Sequence, residues 1–236
     1  MEKKIVVTGG NGRFGSVLKK NSKNNLLFPT KKQLNILKLN SIKNYLKIKK
    51  PRTLIHLAGL SRPMNIHEKN IDKSIDLNII GTANIVKICS LLSIKLIYFS
   101  THYVYPCKKG NYSENSPLLP INNYAWSKLG GEASVQMYKN SLILRVCMTE
   151  KPFVHKSAFA NVKSNFIFHE DVAKILFKLI NKKGIVNIGG KTQTIYNFAK
   201  KNNSEVKKVY LENKSKNQFP KNPSININKL KKLIKF

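Results

Sequence analysis

Acidic residues are scarce in this chain: 11 Asp and Glu stand against 43 Lys and Arg, giving a formal net charge of +32 over 236 residues. Arginine is scarce too, with only Arg13, Arg52, Arg62 and Arg145 in the basic set. Nucleic-acid binding faces cluster their cations. These lysines instead run the whole length among abundant Asn and Ile, so the charge reads as compositional bias and no nucleic-acid partner is expected. What survives is a positive field that steers anionic ligands such as nucleotides toward the protein. Three cysteines (Cys89, Cys107, Cys147) without a Cys-x-x-Cys pair disfavour a disulfide framework or a zinc site. They are expected to be reduced and structural, with no metal bound. No apolar run approaches the length that spans a bilayer, and Met1-Glu2-Lys3-Lys4 leads straight into an apolar strand without a secretory leader. A cytoplasmic location without membrane contact is the expectation. The length suits one domain, or one with a small appendage.

The stretch that organises the chain is Val6-Val7-Thr8-Gly9-Gly10-Asn11-Gly12-Arg13-Phe14-Gly15. It reads as a strand, a glycine turn and the start of a helix through Ser16-Val17-Leu18. In this spacing Gly9 can make the tight turn, Gly12 can let backbone approach a pyrophosphate, and Gly15 can let the helix pack on the strand. The helix N-terminus then offers free N–H groups to phosphates.

Leu26-Leu27-Phe28 fits a second strand, followed by Pro29-Thr30-Lys31-Lys32. An acid near this point would bind the adenosine ribose hydroxyls, whereas basic residues accommodate a 2′-phosphate. No Asp or Glu lies between Glu2 and Glu68, while Arg13, Lys31 and Lys32 are available. NADP is therefore favoured over NAD. Ser41 to Lys50 is helix-compatible and ends at Pro51. Leu54-Ile55-His56-Leu57-Ala58-Gly59 reads as a buried strand with small residues at its C-terminal end, where open α/β sheets bind ligands. Ile71 to Ser93 suggests one long helix containing Asn78, a residue that can hold neighbouring backbone in place. Lys95 to Thr101 is the next strand, ending in the hydroxyls of Ser100 and Thr101. Strands alternating with helices predict an α/β, Rossmann-like doubly wound parallel sheet.

Tyr124-Ala125-Trp126-Ser127-Lys128 opens a helix after a Pro-rich loop. Tyr and Lys four apart share a helix face, and a nearby ammonium is expected to lower the phenol's pKa toward a value useful for proton transfer.

Taken in order, these segments resemble the extended short-chain dehydrogenase/reductase superfamily. Ser100-Thr101-His102-Tyr103-Val104-Tyr105 resembles the Ser-Thr-Asp-Tyr-Val-(Phe/Tyr) segment of dTDP-4-dehydrorhamnose reductases. His56-Leu57-Ala58-Gly59, Asn78-Ile79-Ile80-Gly81-Thr82, Phe166 to Ala173 and Gly184 to Gly190 are similar to further segments of that family, over roughly residues 3 to 200. The resemblance implies that Tyr124 is the general acid, that Lys128 binds the nicotinamide ribose and tunes Tyr124, and that Thr101 bonds the reacting oxygen. It implies cofactor contacts from Gly9, Asn11, Gly12, Arg13, Phe14, Gly15, Lys31, Leu57, Ala58, Gly59, Asn78 and Ser100, along with Tyr124 and Lys128. Substrate contacts would come from Ser61, Arg62, His102 and Tyr103. Arg145, His155 and Lys156 would meet a diphosphate. His102 departs from the family's Asp.

The implied activity is NADPH-dependent reduction of a nucleotide-linked 4-keto-6-deoxy sugar, toward a surface polysaccharide. An NAD-dependent 4-epimerase or dehydratase uses the same machinery, and a non-catalytic regulatory subunit like those of methionine adenosyltransferase keeps the fold. Residues 1–145 would form the dinucleotide-binding domain. Residues 146–236 would complete its core at about 166–190 and form a small, reduced C-terminal substrate lobe. The tail from Lys200 to Phe236, with apolar residues from Val206 to Ile234, is expected to give a docked strand and terminal helix finishing that lobe, with a mobile Asn213 to Asn222 connection. A homodimer is compatible with all of these readings.

Overall fold

The computed structural model describes residues 4–21, 25–212 and 220–234. Ile5-Val6-Val7-Thr8 is apolar or β-branched throughout, the pattern of a strand covered on both faces, and it forms β1 (Ile5–Thr8). After the glycine turn come α1 (Arg13–Asn21), the two-residue β2 (Leu26–Leu27), α2 (Leu39–Lys49) and β3 (Thr53–His56). Lys50 ends α2 in the left-handed region (φ 45°), its amide returning to the Leu46 carbonyl, and Pro51 bars continuation.

Short α3 (Ile66–Lys69) and α4 (Ile71–Ile75) lead through a π turn at Asp76–Ile80 into α5 (Gly81–Leu91). The single helix expected from Ile71 is thus one path with a widened turn. Such turns recur at functional sites, and this one carries Asn78. Next are β4 (Lys95–Thr101), α6 (Asn123–Gln136) and β5 (Ser141–Val146). The remaining chain contributes β6 (Met148–Thr149), β7 (Ser157–Phe159), β8 (Lys163–Ser164), β9 (Ile167–Phe168) and α7 (His169–Leu179). It ends with β10 (Gly184–Ile188), β11 (Gln193–Thr194), α8 (Ile195–Lys200), β12 (Lys207–Val209) and α9 (Asn228–Ile234).

The main sheet has the order β10-β5-β4-β3-β1-β2, every neighbouring pair parallel. The winding reverses between β1 and β3, which places a topological switch point, the usual ligand crevice of such sheets, beside the glycine turn. Side chains alternate along each strand. Val7, Ile55, Ile97 and Leu144 share one layer with Leu18 of α1 and Leu176 of α7, while Val6, Leu54, Leu96 and Ile143 share the other with Leu46 of α2 and Ile85 of α5. The doubly wound α/β architecture read from the sequence is the one observed.

A smaller cluster of Phe153, Ala158, Phe198, Ala199 and Val206 holds β7 and α8 together, and β12 adds parallel to β7. The expected docked strand is therefore present. The terminal helix differs: Leu230 and Ile234 of α9 join the core layer of α1 and α7, because their apolar pair completes that face and not the lobe. Of the Asn213 to Asn222 connection, residues 213–219 lie outside the described residues; Asn222 donates from its side chain to the Lys109 carbonyl at 3.0 Å.

Candidate active site

Gly9 lies at φ +74°, and a Cβ there would stand 2.6 Å from the Ala58 nitrogen, so the β1 turn and the β3 exit close on each other only without a side chain. At Gly15 a Cβ would collide with the Gly9 carbonyl oxygen, which is why α1 packs tightly under the turn. The Gly12 amide donates to the Gly9 carbonyl at 2.9 Å. The Phe14 ring is buried, 5.0 Å from the Phe99 ring and 5.7 Å from that of His169, and thus anchors the start of the helix.

The β3 exit is fixed by side chains. The Thr8 hydroxyl accepts from the Leu57 and Ala58 amides at 3.3 and 3.2 Å and lies 2.8 Å from His56 Nδ1. With both lone pairs used, it donates to Nδ1, leaving the ring hydrogen on Nε2 toward Thr82 Oγ1 at 3.2 Å. Burial, with Lys128 adding to it, pushes the His56 pKa down to about 3, so the ring is neutral. Asn78 accepts from the Leu60 amide at 2.7 Å and donates to the Leu60 carbonyl and Ser127 Oγ at 2.9 and 2.8 Å. Its carboxamide holds the loop after β3, which corrects its expected place among the direct cofactor contacts.

Asn122 caps α6, accepting from the Ala125 amide at 2.9 Å, and this sets Tyr124 in the first turn with Lys128 one turn on. Thr101 ends β4 beside them, its hydroxyl near enough to Tyr124 to pull the phenol pKa down. The phenol pKa departs from expectation: burial raises it, and the opposing pull comes from the Thr101 hydroxyl, Arg62 and Arg13, not from Lys128. The reason lies in Lys128 itself. Burial pushes its pKa down to about 7 against the pull of Glu132, and its Nζ stands 4.3 Å from the centre of the Tyr98 ring. Tyr124 is therefore protonated at neutral pH, the form needed to donate.

Two further expectations are corrected behind this group. Arg145 is 1 % exposed, with Nη2 2.6 Å from Glu132 Oε1 and Nη1 donating to the Tyr105 hydroxyl at 2.7 Å. It cannot meet a diphosphate, because the wholly buried Glu132 requires its charge. Ser100 donates to Glu132 Oε2 at 2.5 Å and is likewise removed from the cofactor set. Neither role was visible in the sequence, since Glu132 carries no motif.

Around the rim, Arg13 Nε and Arg62 Nη1 each lie 3.3 Å from Glu150 Oε1, and Arg13 Nη2 donates to Ser61 Oγ at 3.0 Å. Burial raises the Glu150 pKa, but Arg62 and Arg13 with a backbone hydrogen bond outweigh it and hold the carboxyl below its usual range. Arg13, expected at the cofactor, and Ser61 and Arg62, expected at the substrate, are thus brought into one cluster, joined by Glu150, which carries no motif in the sequence. His155 is near enough to feel all three charges, its pKa lowered by burial, then Arg62, then Arg13, against Glu150. Lys156 is exposed on β7's approach, where its carbonyl accepts from the Lys207 amide.

His102 is buried, donating from Nδ1 to the Val146 carbonyl at 3.1 Å, with the Tyr103 ring tilted against it at 4.1 Å between centroids. Burial pushes its pKa down to about 4 despite that carbonyl. Its Nε2 is buried as well, so the ring packs the strand end and does not present itself to a ligand as expected. Near the end of β2, Lys31 is exposed. Besides Arg13, the structure brings Lys19 to the turn, its Nζ donating to Asn11 Oδ1 at 2.7 Å and lying 5.4 Å from the Phe28 ring centre. Its position one helix away from β2 hid it in the sequence.

A parallel doubly wound sheet, a glycine turn at its switch point and a Thr-Tyr-Lys group at the strand ends define a protein of the short-chain dehydrogenase/reductase type. Residues 3–161 match the model of the RmlD substrate binding domain, and the chain belongs to that family. It is 30% identical over 155 residues to methionine adenosyltransferase 2 subunit beta from Xenopus laevis, covering 61% of this chain and 46% of that one. The chain thus spans under half the length of that curated relative. In three dimensions it resembles the dTDP-4-dehydrorhamnose reductase of Bacillus anthracis, solved with NADP, at a TM-score of 0.87, 22% identity and coverage of 98% and 92%. It also resembles the Bordetella bronchiseptica enzyme WbmG, solved with NAD and UDP, at 0.80, 16% identity and coverage of 100% and 90%.

Proposed function

We propose that the protein is an NADPH-dependent reductase of a nucleotide-linked 4-keto-6-deoxy sugar, working in the cytoplasm as a monomer or homodimer. The observation that carries this reading is the half-buried, protonated Tyr124 beside Thr101 and one turn before Lys128, at the strand ends next to the glycine turn. The site's residues fit a nicotinamide dinucleotide, because a side chain at Gly9 or Gly15 would strike the backbone that forms the turn. When bound, the nicotinamide supplies the hydride. Tyr124 donates its proton to the carbonyl oxygen as charge develops there, and Thr101 steadies that oxygen by hydrogen bonding. Lys128, poised near neutrality, holds the ribose and returns a proton toward Tyr124. Lys19 at the β2 end, with no acid there, supports NADP over NAD. The solved relatives carry one or the other.

The test is turnover of a panel of nucleotide-linked 4-keto sugars with NADPH and NADH in parallel. Net NADPH oxidation supports the reading; sugar interconversion without net cofactor change supports the epimerase alternative. A non-catalytic regulatory role is favoured by the methionine adenosyltransferase 2 subunit beta likeness. Retention of biological activity by Tyr124→Phe would establish it.

A further inference from the structure

The segment from Leu60 to Asn70 is tied down along its length. Asn78 holds Leu60 by amide and carbonyl, and Asn70 accepts from the Lys73 amide at 2.9 Å to cap α4. Between these points His67 is 0 % exposed, its Nδ1 2.6 Å from the Ser74 hydroxyl. Its ring meets the Tyr124 ring edge-on, with centroids 5.1 Å apart and planes at 61°. The same segment grips the residue just before Tyr124. The Glu68 carboxylate accepts from the Asn123 amide at 3.3 Å and from its carboxamide at 2.5 Å, and the His67 carbonyl accepts from that carboxamide at 3.5 Å. A buried histidine is ordinarily core filling. This one is held on one side by Ser74 and bears on the reacting phenol with the other, and an edge-on aromatic pair fixes a ring plane as well as filling space.

We propose that His67 is a positioning residue for Tyr124, its ring forming the wall that excludes water from the phenol and sets its plane toward Thr101. The inference rests on the reductase reading of Tyr124. Burial is the largest cause of the raised Tyr124 pKa, so breaching the wall lets that pKa fall back toward its ordinary value. A ring without nitrogens keeps the wall and gives up the polar contacts of the imidazole, the Ser74 bond among them.

The experiment labels the protein with ζ-13C-tyrosine, assigns the Tyr124 resonance with Tyr124→Phe, and titrates it in His67→Ala, His67→Leu and His67→Phe. The keto-sugar panel with NADPH gives kcat and KM alongside. In His67→Ala the Tyr124 midpoint is expected to drop and kcat to fall roughly tenfold to a hundredfold, with KM within about twofold, the pattern of a displaced reacting group. His67→Phe is expected to restore both. A wild-type midpoint in a folded His67→Ala protein overturns the proposal, as does a His67→Phe protein as impaired as His67→Ala. Should His67→Ala not fold, Leu against Phe decides: Leu fills the volume without a ring, so a Leu variant equal to wild type overturns it and one impaired beside a restored Phe supports it. Absence of wild-type turnover with every sugar sinks the reductase reading alone, because the Tyr124 midpoint still judges His67.

Discussion

Tyr124 is raised and Lys128 lowered by the same cause, burial, and this pairing sets the chemistry. The phenol stays protonated while the ammonium sits near its midpoint. Under the proposed function, Tyr124→Phe is expected to lower kcat by roughly 10²–10⁴-fold, the range for a positioned acid. Steady-state turnover checks this, and dinucleotide binding followed by fluorescence should be unaltered. Lys19 makes a second residue-level prediction. Lys19→Ala removes the cation at the β2 end and should weaken NADPH binding about tenfold while leaving NADH binding unchanged, as expected when one charged phosphate contact of about 1.5 kcal/mol is lost. Calorimetric titration with both dinucleotides reads the difference. The sequence signalled Tyr124, Lys128 and Thr101 because each sits at a fixed spacing in a local word. Lys19, Glu132 and Glu150 have no such spacing, since their partners lie on other elements.

α6 is the element on which the site depends. Asn122 caps it, Asn123 is gripped by Glu68, Tyr124 and Lys128 lie one turn apart on it, and Glu132 ties it to β5 through Arg145. Removing Glu132 strands a guanidinium in the core. Glu132→Gln is therefore expected to destabilise the fold by about 3–5 kcal/mol, as breaking a buried pair does; urea unfolding measures it. The neighbouring π turn makes a milder prediction. Asn78→Ala leaves both the Leu60 amide and carbonyl without their side-chain partner, which should reduce stability by about 1–3 kcal/mol. Periodicity revealed a helix over this region, but not its widened turn, because one extra residue per turn leaves the apolar pattern almost intact.

At the scale of the whole molecule, all five histidines have lowered pKa values, with burial the first cause each time. In the pH range between the folded and unfolded values the unfolded chain binds more protons, so stability rises with pH there and is lost on acidification. The window opens at about 6.5, and His56 and His102 are discharged down to about 3 and about 4. Those two buried rings together should remove on the order of 2–4 kcal/mol between pH 6.5 and pH 5. A thermal midpoint that falls over this range, in constant ionic strength, checks it; a flat profile would contradict the burial assigned to both rings.

The sequence by itself determined the wound α/β sheet, the glycine turn and the Thr-Tyr-Lys group, because each is written in short-range spacing: apolar runs, glycines three apart, and a four-residue helical repeat. Only the tertiary structure decided how the charges are used. Arg145 and Ser100 belong to a buried acid, Arg13 and Arg62 share Glu150, and His67 stands against Tyr124. Those assignments depend on which side chains meet across long chain separations, and on burial strong enough to reverse the expected pKa of a phenol.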